Sequence, residues 1–359
     1  MPGVTTDIQR QSGEPHFGKT SLPQAPQNEP SYYDISFLQP PAWKWEIATY
    51  FFAGGISGGS YLLARVAERF GGGRYRKLTR AATYASFAAL LPCAPLLIHD
   101  LGDPKRFHHM LRVWKPHTPM NLGTWVITAF GGACTAAVLR EYLRDAGALD
   151  RGLLSKITDG TLLLISDAAG VPAALMLCSY TGVLLSCSAN PIWCRNNWLG
   201  PMFSASAVGT GAGATSLLLS FLGGREAAPD SRSQKALDKI TSVAHLAEAA
   251  MIVGYIRSLK QNARPLTTGK YAPHTWFGFL GLGAAAILKY MPVRGKARRR
   301  TSIAAALVGL ASGLSLRWVI VHAARPSVLD PAAARRTALP TQFPPKAPLA
   351  SPTAPPLKP

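Results

Sequence analysis

Charge is the scarcest property of this chain: only 16% of its 359 residues are charged, against roughly 25% in an ordinary soluble domain. The deficit excludes a continuously solvated surface, because the charges are separated by long uncharged runs of membrane-spanning length. Acidic residues are scarcer still, 18 against 38 Lys and Arg, for a net charge of +20. The bases lie in short loops between apolar runs, which speaks against a nucleic-acid-binding face. The five cysteines, Cys93, Cys134, Cys178, Cys187 and Cys194, form no C-x-x-C pair, so an iron–sulfur cluster in this chain is not expected. Haem b requires histidines facing each other from helices. His245 alone lies well inside an apolar segment, with His99 and His322 at segment ends, so haem and metal sites are not expected either. No glycine-rich phosphate loop stands in strand–helix context, and no cleavable signal pattern opens the chain.

What is present is a series of apolar runs at 45–67, 81–101, 122–139, 161–187, 201–222, 241–259, 276–290 and 302–322. They predict an all-α integral membrane protein with about eight transmembrane helices arranged as two four-helix bundles, 43–190 and 191–325. Pro92 and Pro95 are expected to bend the second helix. Residues 1–42 read as a disordered arm and 326–359 as a disordered Pro/Ala-rich tail. Gly54, Gly55, Gly58 and Gly59 in the first run, and Gly209, Gly211 and Gly213 in the fifth, suggest a faint parallel repeat with close helix packing. Clusters of Lys and Arg follow the first, third, fifth and seventh runs, which places those loops in the cytoplasm and both termini outside.

The stretch 99–125 concentrates polar residues between two apolar runs. It holds His99, Asp100, Asp103, Arg106, His108, His109, Arg112, His117 and Trp125, with a short helix expected near Phe107 to Val113. At the same membrane face stand Glu46 and Tyr50, which open the first run, and Tyr180 near the end of the fourth. Hydroxyl, imidazole and carboxylate groups beside aromatic walls permit binding of a quinone headgroup. Plainer roles exist for each. Asp100 can cap its loop, Arg106 and Arg112 can pair with Asp100 or Asp103, Trp125 can anchor at the interface, and Glu46 can be an interfacial charge. Deeper in the helices, Asp167, Glu248 and the pair Arg65 and Glu68 form either a partial proton path from the cytoplasm or a set of interhelical hydrogen bonds.

These residues carry a family resemblance. Asp100, Leu101, Gly102, Pro104, Arg106, Phe107, Met110, Leu111, Arg112, Thr118, Pro119, Met120, Gly123 and Trp125 form one block. Tyr32, Tyr33, Pro41, Trp43, Trp45, Glu46, Tyr50, Gly54 and Gly55 form a second, and the segment from Tyr180 to Leu185 with Pro191 and Trp193 a third. Together they resemble the NrfD family, the membrane subunits of polysulfide-reductase-type complexes. Asp103 stands where that family usually carries Arg, and Asn121 where Ser is usual. The resemblance implies a non-catalytic subunit of the cell inner membrane that serves anaerobic electron transport. It implies bound, exchangeable menaquinone or ubiquinone at Glu46, Tyr50, His99, Asp100, Trp125 and Tyr180. It also implies a ferredoxin-like iron–sulfur partner docked on the loop of Arg106 and Arg112, and a molybdopterin-type catalytic subunit beyond it. A secondary transporter and a passive membrane anchor are the alternatives.

Overall fold

The computed structural model describes residues 38–71, 73–115, 117–149, 152–222, 231–293 and 295–338, and these contain helices and no strand. The first helix, α1 (Trp45–Gly71), is Gly- and Ser-rich and buried along most of its length. Next come α2 (Arg76–Leu90) and α3 (Cys93–Asp100), one run interrupted at Leu91 and Pro92. Neither Pro92 nor Pro95 has an N–H for the preceding turn, so the helical hydrogen bonds lapse there. A 3₁₀ turn (Pro104–Arg106), N-capped by the Asp103 carboxylate, leads to the four-residue α4 (His109–Arg112), narrower than the helix expected near it.

Proline opens α5 (Pro119–Asp145), where its missing N–H costs nothing. α6 (Leu153–Ile165) and α7 (Val171–Ser186) are joined by a π turn (Ser166–Gly170). Pro172 cannot donate to the carbonyl of Ala168, and the backbone loosens just before it. The Tyr61 hydroxyl donates to the Ser166 carbonyl in that turn at 2.7 Å. The chain continues through α8 (Leu199–Leu222), α9 (Ser231–Leu259), the short α10 (Arg264–Thr267), α11 (Ala272–Tyr290) and α12 (Lys296–His322). It ends in α13 (Ala324–Leu329) and α14 (Pro331–Ala338).

Five helical stretches are long and apolar enough to cross a membrane: Arg76–Asp100, Pro119–Asp145, Ser155–Ser186, Leu199–Phe221 and Ala297–Leu329. α1, α9 and α11 match expected runs but fall short of that apolarity, so five of the about eight expected spans meet the length and composition of a membrane crossing. Their shortfall has a physical reason where burial is deep. α1 packs on α2, α3, α7, α8 and α12, so protein rather than lipid surrounds most of it. α9 packs on α8 and α11, and α11 on α12.

The glycines of α1 explain its central place. A Cβ at Gly58 would strike Cys178 and the Ala174 carbonyl of α7. One at Gly59 would strike the Ala207 backbone of α8. The two interleaved G-x-x-x-G pairs therefore face two different neighbours. Gly211 of α8 lies against Gly59 and Ser60, and the Ser60 hydroxyl donates to the Gly211 carbonyl at 3.1 Å. Contacts from Gly55 to Ala207 and from Ser60 to Gly211 advance together, so α1 and α8 run parallel.

Residues 1–37 of the expected N-terminal arm lie outside the described residues. Within the expected tail, residues 326–329 and 331–338 are helical, with Val328, Ala333 and Ala334 buried. Side chains hold this segment. The Asn190 amide donates to the Ala324 carbonyl at 3.0 Å and accepts from Ser327 at 3.0 Å, and Arg336 donates to Asn262 at 3.0 Å. Residues 339–359 lie outside the described residues.

The glycine contacts predict a sharp contrast in detergent. Gly59→Leu forces α1 from α8 and destabilises by about 1–3 kcal/mol or more. Gly131→Leu, where a Cβ meets nothing, stays within about 0.5 kcal/mol. The buried Cys93, Cys134 and Cys178 make thiol labelling during a thermal ramp the readout.

Candidate functional site

α1, α3, α5 and α7 enclose a cavity of about 200 Å³ at one end of the helices, roofed by the loop that contains α4. Its walls are chiefly apolar. Ile47 and Phe51 come from α1, Leu97 and Ile98 from α3, Ile127 from α5, Leu184 from α7, and Phe107, Met110 and Leu111 from the roof. Three groups of this wall ionise or exchange protons: Tyr50, Tyr180 and Asp100. The Tyr50 and Tyr180 hydroxyls hydrogen-bond each other directly, from residues 130 positions apart. One hydroxyl proton is used in that bond and the other remains free to donate. Tyr180 stands against Gly123, where any Cβ would meet its ring at 2.6 Å, so the glycine creates the slot that the phenol occupies.

The remaining residues expected here take other places. Glu46 is buried beside the cavity, and His99 Nδ1 lies 3.2 Å from its carboxylate while the imidazole is largely exposed. Trp125 does not line the cavity. It packs edge-on against Trp114 with ring centroids 5.5 Å apart. Arg106 pairs with Asp103 at 3.0 Å on the exposed loop, and Arg112 is exposed nearby. Phe107, Leu111, Val113 and Trp114 leave an apolar face on the same loop. Asn121 pins the roof: its side chain accepts from the Lys115 N–H at 2.7 Å and donates to the carbonyls of Met110 and Val113 at 3.1 and 2.9 Å. A serine hydroxyl has one proton and could not donate to both carbonyls. Reasoning from sequence missed Gly123 and Trp43 as wall residues, although both stand within the motif blocks, and it missed the roof contribution of Met110 and Leu111.

The polar residues deeper in the helices fall into two groups. At the helix ends opposite the cavity, Glu68 forms an ion pair with Arg65 at 2.8 Å and accepts from Arg144 at 3.0 Å and from Arg140. Asp159 accepts from Arg140 at 2.7 Å and Arg144 at 3.2 Å. Asp167 lies 4.0 Å from Arg65. Glu248 is elsewhere: it interacts with Ser206 and Arg317, and the Arg317 guanidinium reaches the level of Gly55 on α1. Gly55 precedes Arg65 by ten residues, roughly 15 Å along the helix. The expected single set of Asp167, Glu248, Arg65 and Glu68 is thus divided, because α9 packs on α8 and α11 rather than on the end of α1.

The architecture is that of a multi-pass helical membrane protein with an apolar, tyrosine-bearing cavity at one end of its helices. The chain belongs to the NrfD family (Polysulphide reductase, NrfD), which it matches over residues 36–328. It is 23% identical over 306 residues to the protein NrfD of Escherichia coli, covering 80% of this chain and 96% of that one. It is 24% identical over 220 residues to a selenate reductase subunit of Mesobacillus selenatarsenatis, 53% of this chain and 50% of that protein. It is also 24% identical over 190 residues to a putative dimethyl sulfoxide reductase membrane subunit of Halobacterium salinarum, 48% and 41% of the two chains.

Arg140 is 2% exposed and bridges two carboxylates, whereas Arg144 is half-open to solvent. Arg140→Met leaves Glu68 and Asp159 under-neutralised and lowers unfolding stability by about 3–5 kcal/mol. Arg144→Met costs about 0–1 kcal/mol. An unchanged midpoint for Arg140→Met in a detergent thermal ramp removes the structural reading of this cluster.

Proposed function

We propose that this protein is the quinone- or quinol-binding membrane subunit of a multi-subunit oxidoreductase, exchanging electrons between membrane quinone and an iron–sulfur partner. The observation that carries the reading is the Tyr50–Tyr180 hydroxyl pair facing an apolar cavity together with Asp100. The residues fit the group. A quinone ring is flat and apolar at its faces and polar at two opposed oxygens, and this wall has apolar sides with its few polar groups gathered together. A bound menaquinone or ubiquinone supplies two-electron, two-proton redox chemistry. Tyr50 and Tyr180 present the free hydroxyl proton, and each orients the other. Asp100 adds a carboxylate at the membrane edge that exchanges protons with water. The Glu46–His99 pair, with its imidazole exposed, extends that exchange outward. Trp125 acts on the site through the roof residue Trp114 rather than by contact.

Selenate reductase and dimethyl sulfoxide reductase subunits among the relatives support assembly with a catalytic subunit. A ferredoxin-like iron–sulfur subunit would dock on the exposed apolar and basic loop of Phe107, Trp114, Arg106 and Arg112, which roofs the cavity. A molybdopterin-type subunit would lie beyond it. In this reading α1, α9 and α11 also span the bilayer, giving eight spans in two four-helix bundles. The cavity face and both termini lie outside the inner membrane, and the Arg-rich loops lie in the cytoplasm.

Quinol-coupled electron transfer in the purified complex tests the site. Tyr180→Phe and Asp100→Asn each lower it by about 100–10,000-fold, the usual worth of a positioned proton donor or acceptor. Ordinary quinone turnover in both variants refutes the site. Quinone retained through detergent extraction argues against a passive anchor. Solute transport by the chain without an iron–sulfur partner favours a secondary transporter.

A further inference from the structure

The inward face of α9 carries Gln234, Asp238, Thr241, His245 and Glu248, all buried and spaced four, three, four and three residues apart. That spacing sets them on one stripe. At 1.5 Å per residue the stripe is about 21 Å long, some two thirds of a bilayer core of ~30 Å. It begins at the end of α9 that follows the 225–232 stretch and ends at Glu248, before the apolar Ile252.

Neighbouring helices answer it with polar groups. Gln234 Nε2, with two protons to donate, lies within hydrogen-bond distance of Ser216 of α8 at 2.9 Å, Ser302 of α12 at 2.8 Å and Asp238 at 3.1 Å. Arg298 of α12 donates to Asp238 at 2.8 Å. Lys289 of α11 is 2% exposed, and its ammonium makes no hydrogen bond among the described residues. His245 Nδ1 and Glu248 Oε2 are likewise buried without partners among the described residues. The His245 ring occupies a slot between Gly209 and Gly309, where a Cβ would come within 2.9 and 3.0 Å of it. Three unsatisfied polar atoms along one column, each costing about 1–3 kcal/mol if dry, call for water between them.

Toward the cavity end the stripe turns apolar. Ile252 is buried, and the Tyr255 hydroxyl is spent on the Ile192 carbonyl at 2.9 Å. Where the polar part stops, Arg317 donates to Ser206 at 2.7 Å, stands over the Phe52 and Phe203 rings, and presses on Gly55 of α1.

We propose that this column is a hydrated half-channel that moves protons between the Arg-rich face and Glu248, with Arg317 beyond it, through groups separate from the Arg65, Glu68 and Asp167 cluster. Protons pass along water and the Asp238, His245 and Glu248 side chains, and no electron moves with them. The column stands by itself. Only the use of its protons at Tyr50 and Tyr180 rests on the reading of the cavity as a quinone pocket.

Two measurements test it. In oriented vesicles of the full chain, Thr241→Cys and Ser302→Cys face the column, while Val243→Cys faces outward from the same helix at a position 69% exposed. With 2-aminoethyl methanethiosulfonate added at the Arg-rich face, and modification read by peptide mass, the column thiols react about tenfold faster than the outward one, because only a solvated thiol forms the reactive thiolate. Equal or slower reaction at both column positions overturns the half-channel. In proteoliposomes of the quinol-oxidising complex, Glu248→Gln lowers protons taken up per electron by about half or more while electron transfer stays within about twofold. An unchanged ratio overturns the proton role. If the wild-type complex oxidises no quinol, the quinone reading fails instead, and the thiol result still decides whether the column is hydrated.

Discussion

The structure depends on how closely α1 approaches its neighbours. Gly58 admits the side of α7, and Gly59 admits the backbone of α8 at a distance no side chain would allow. Between helices inside a membrane, the apolar driving force of water is largely absent, and dispersion contact between small residues takes its place. A helix built this way is too rich in Gly and Ser to look like a lipid-facing span, and it does not need to be one. Its central place has a consequence for every site. Glu46, Tyr50, Tyr61, Arg65 and Glu68 are fixed by one rod whose two glycine pairs set its rotation toward α7 and α8 together.

That rotation explains the cavity. With Gly54 and Gly58 turned to α7, Tyr50 falls on the same side one turn earlier and meets Tyr180. Gly123 completes the arrangement by leaving α5 bare where the phenol stands. Small residues thus do two jobs with one physical cause: they let backbones close in at some levels and leave room for a large ring at others. The break between α2 and α3 serves the same end, since it lets Leu97, Ile98 and Asp100 turn toward the cavity after Pro92 and Pro95 have ended the regular hydrogen bonding.

Much of this was legible in the amino-acid order. The apolar runs mark the helices, and Tyr50, Asp100 and Tyr180 were expected together from their places at run ends, which is where the structure brings them. Local order could not tell which way a side chain points once helices rotate. Trp125 and Gly123 are two residues apart, yet the glycine faces Tyr180 and the tryptophan faces Trp114. Nor could it show lateral neighbours. Asp167 and Glu248 each sit in an apolar run, and only the packing of α9 on α8 and α11 separates them. The helices at 324–338 were hidden by composition, because Pro and Ala resemble a disordered tail until Asn190 and Asn262 supply the hydrogen bonds that hold them. The stripe on α9 was present in the spacing, but it begins at Gln234 and Asp238, ahead of the apolar run at 241–259, so the run alone did not show it.

Arg317 shows why the two halves of the chain act on one another. Its guanidinium is 2% exposed and has no carboxylate within salt-bridge distance among the described residues. A buried cation held mainly by a hydroxyl, a carbonyl and two aromatic faces keeps its charge only if nearby negative charge or water compensates it. Glu248 is the acidic group that interacts with it. The charge state of that carboxyl therefore bears on Arg317, and Arg317 lies against Gly55, the same rod that carries Tyr50 five residues earlier. Helices packed backbone to backbone transmit a shift rather than absorb it. Arg317 therefore joins the polar column of α9 to the α1–α8 contact at Gly55, and it does so by packing rather than by an ion pair.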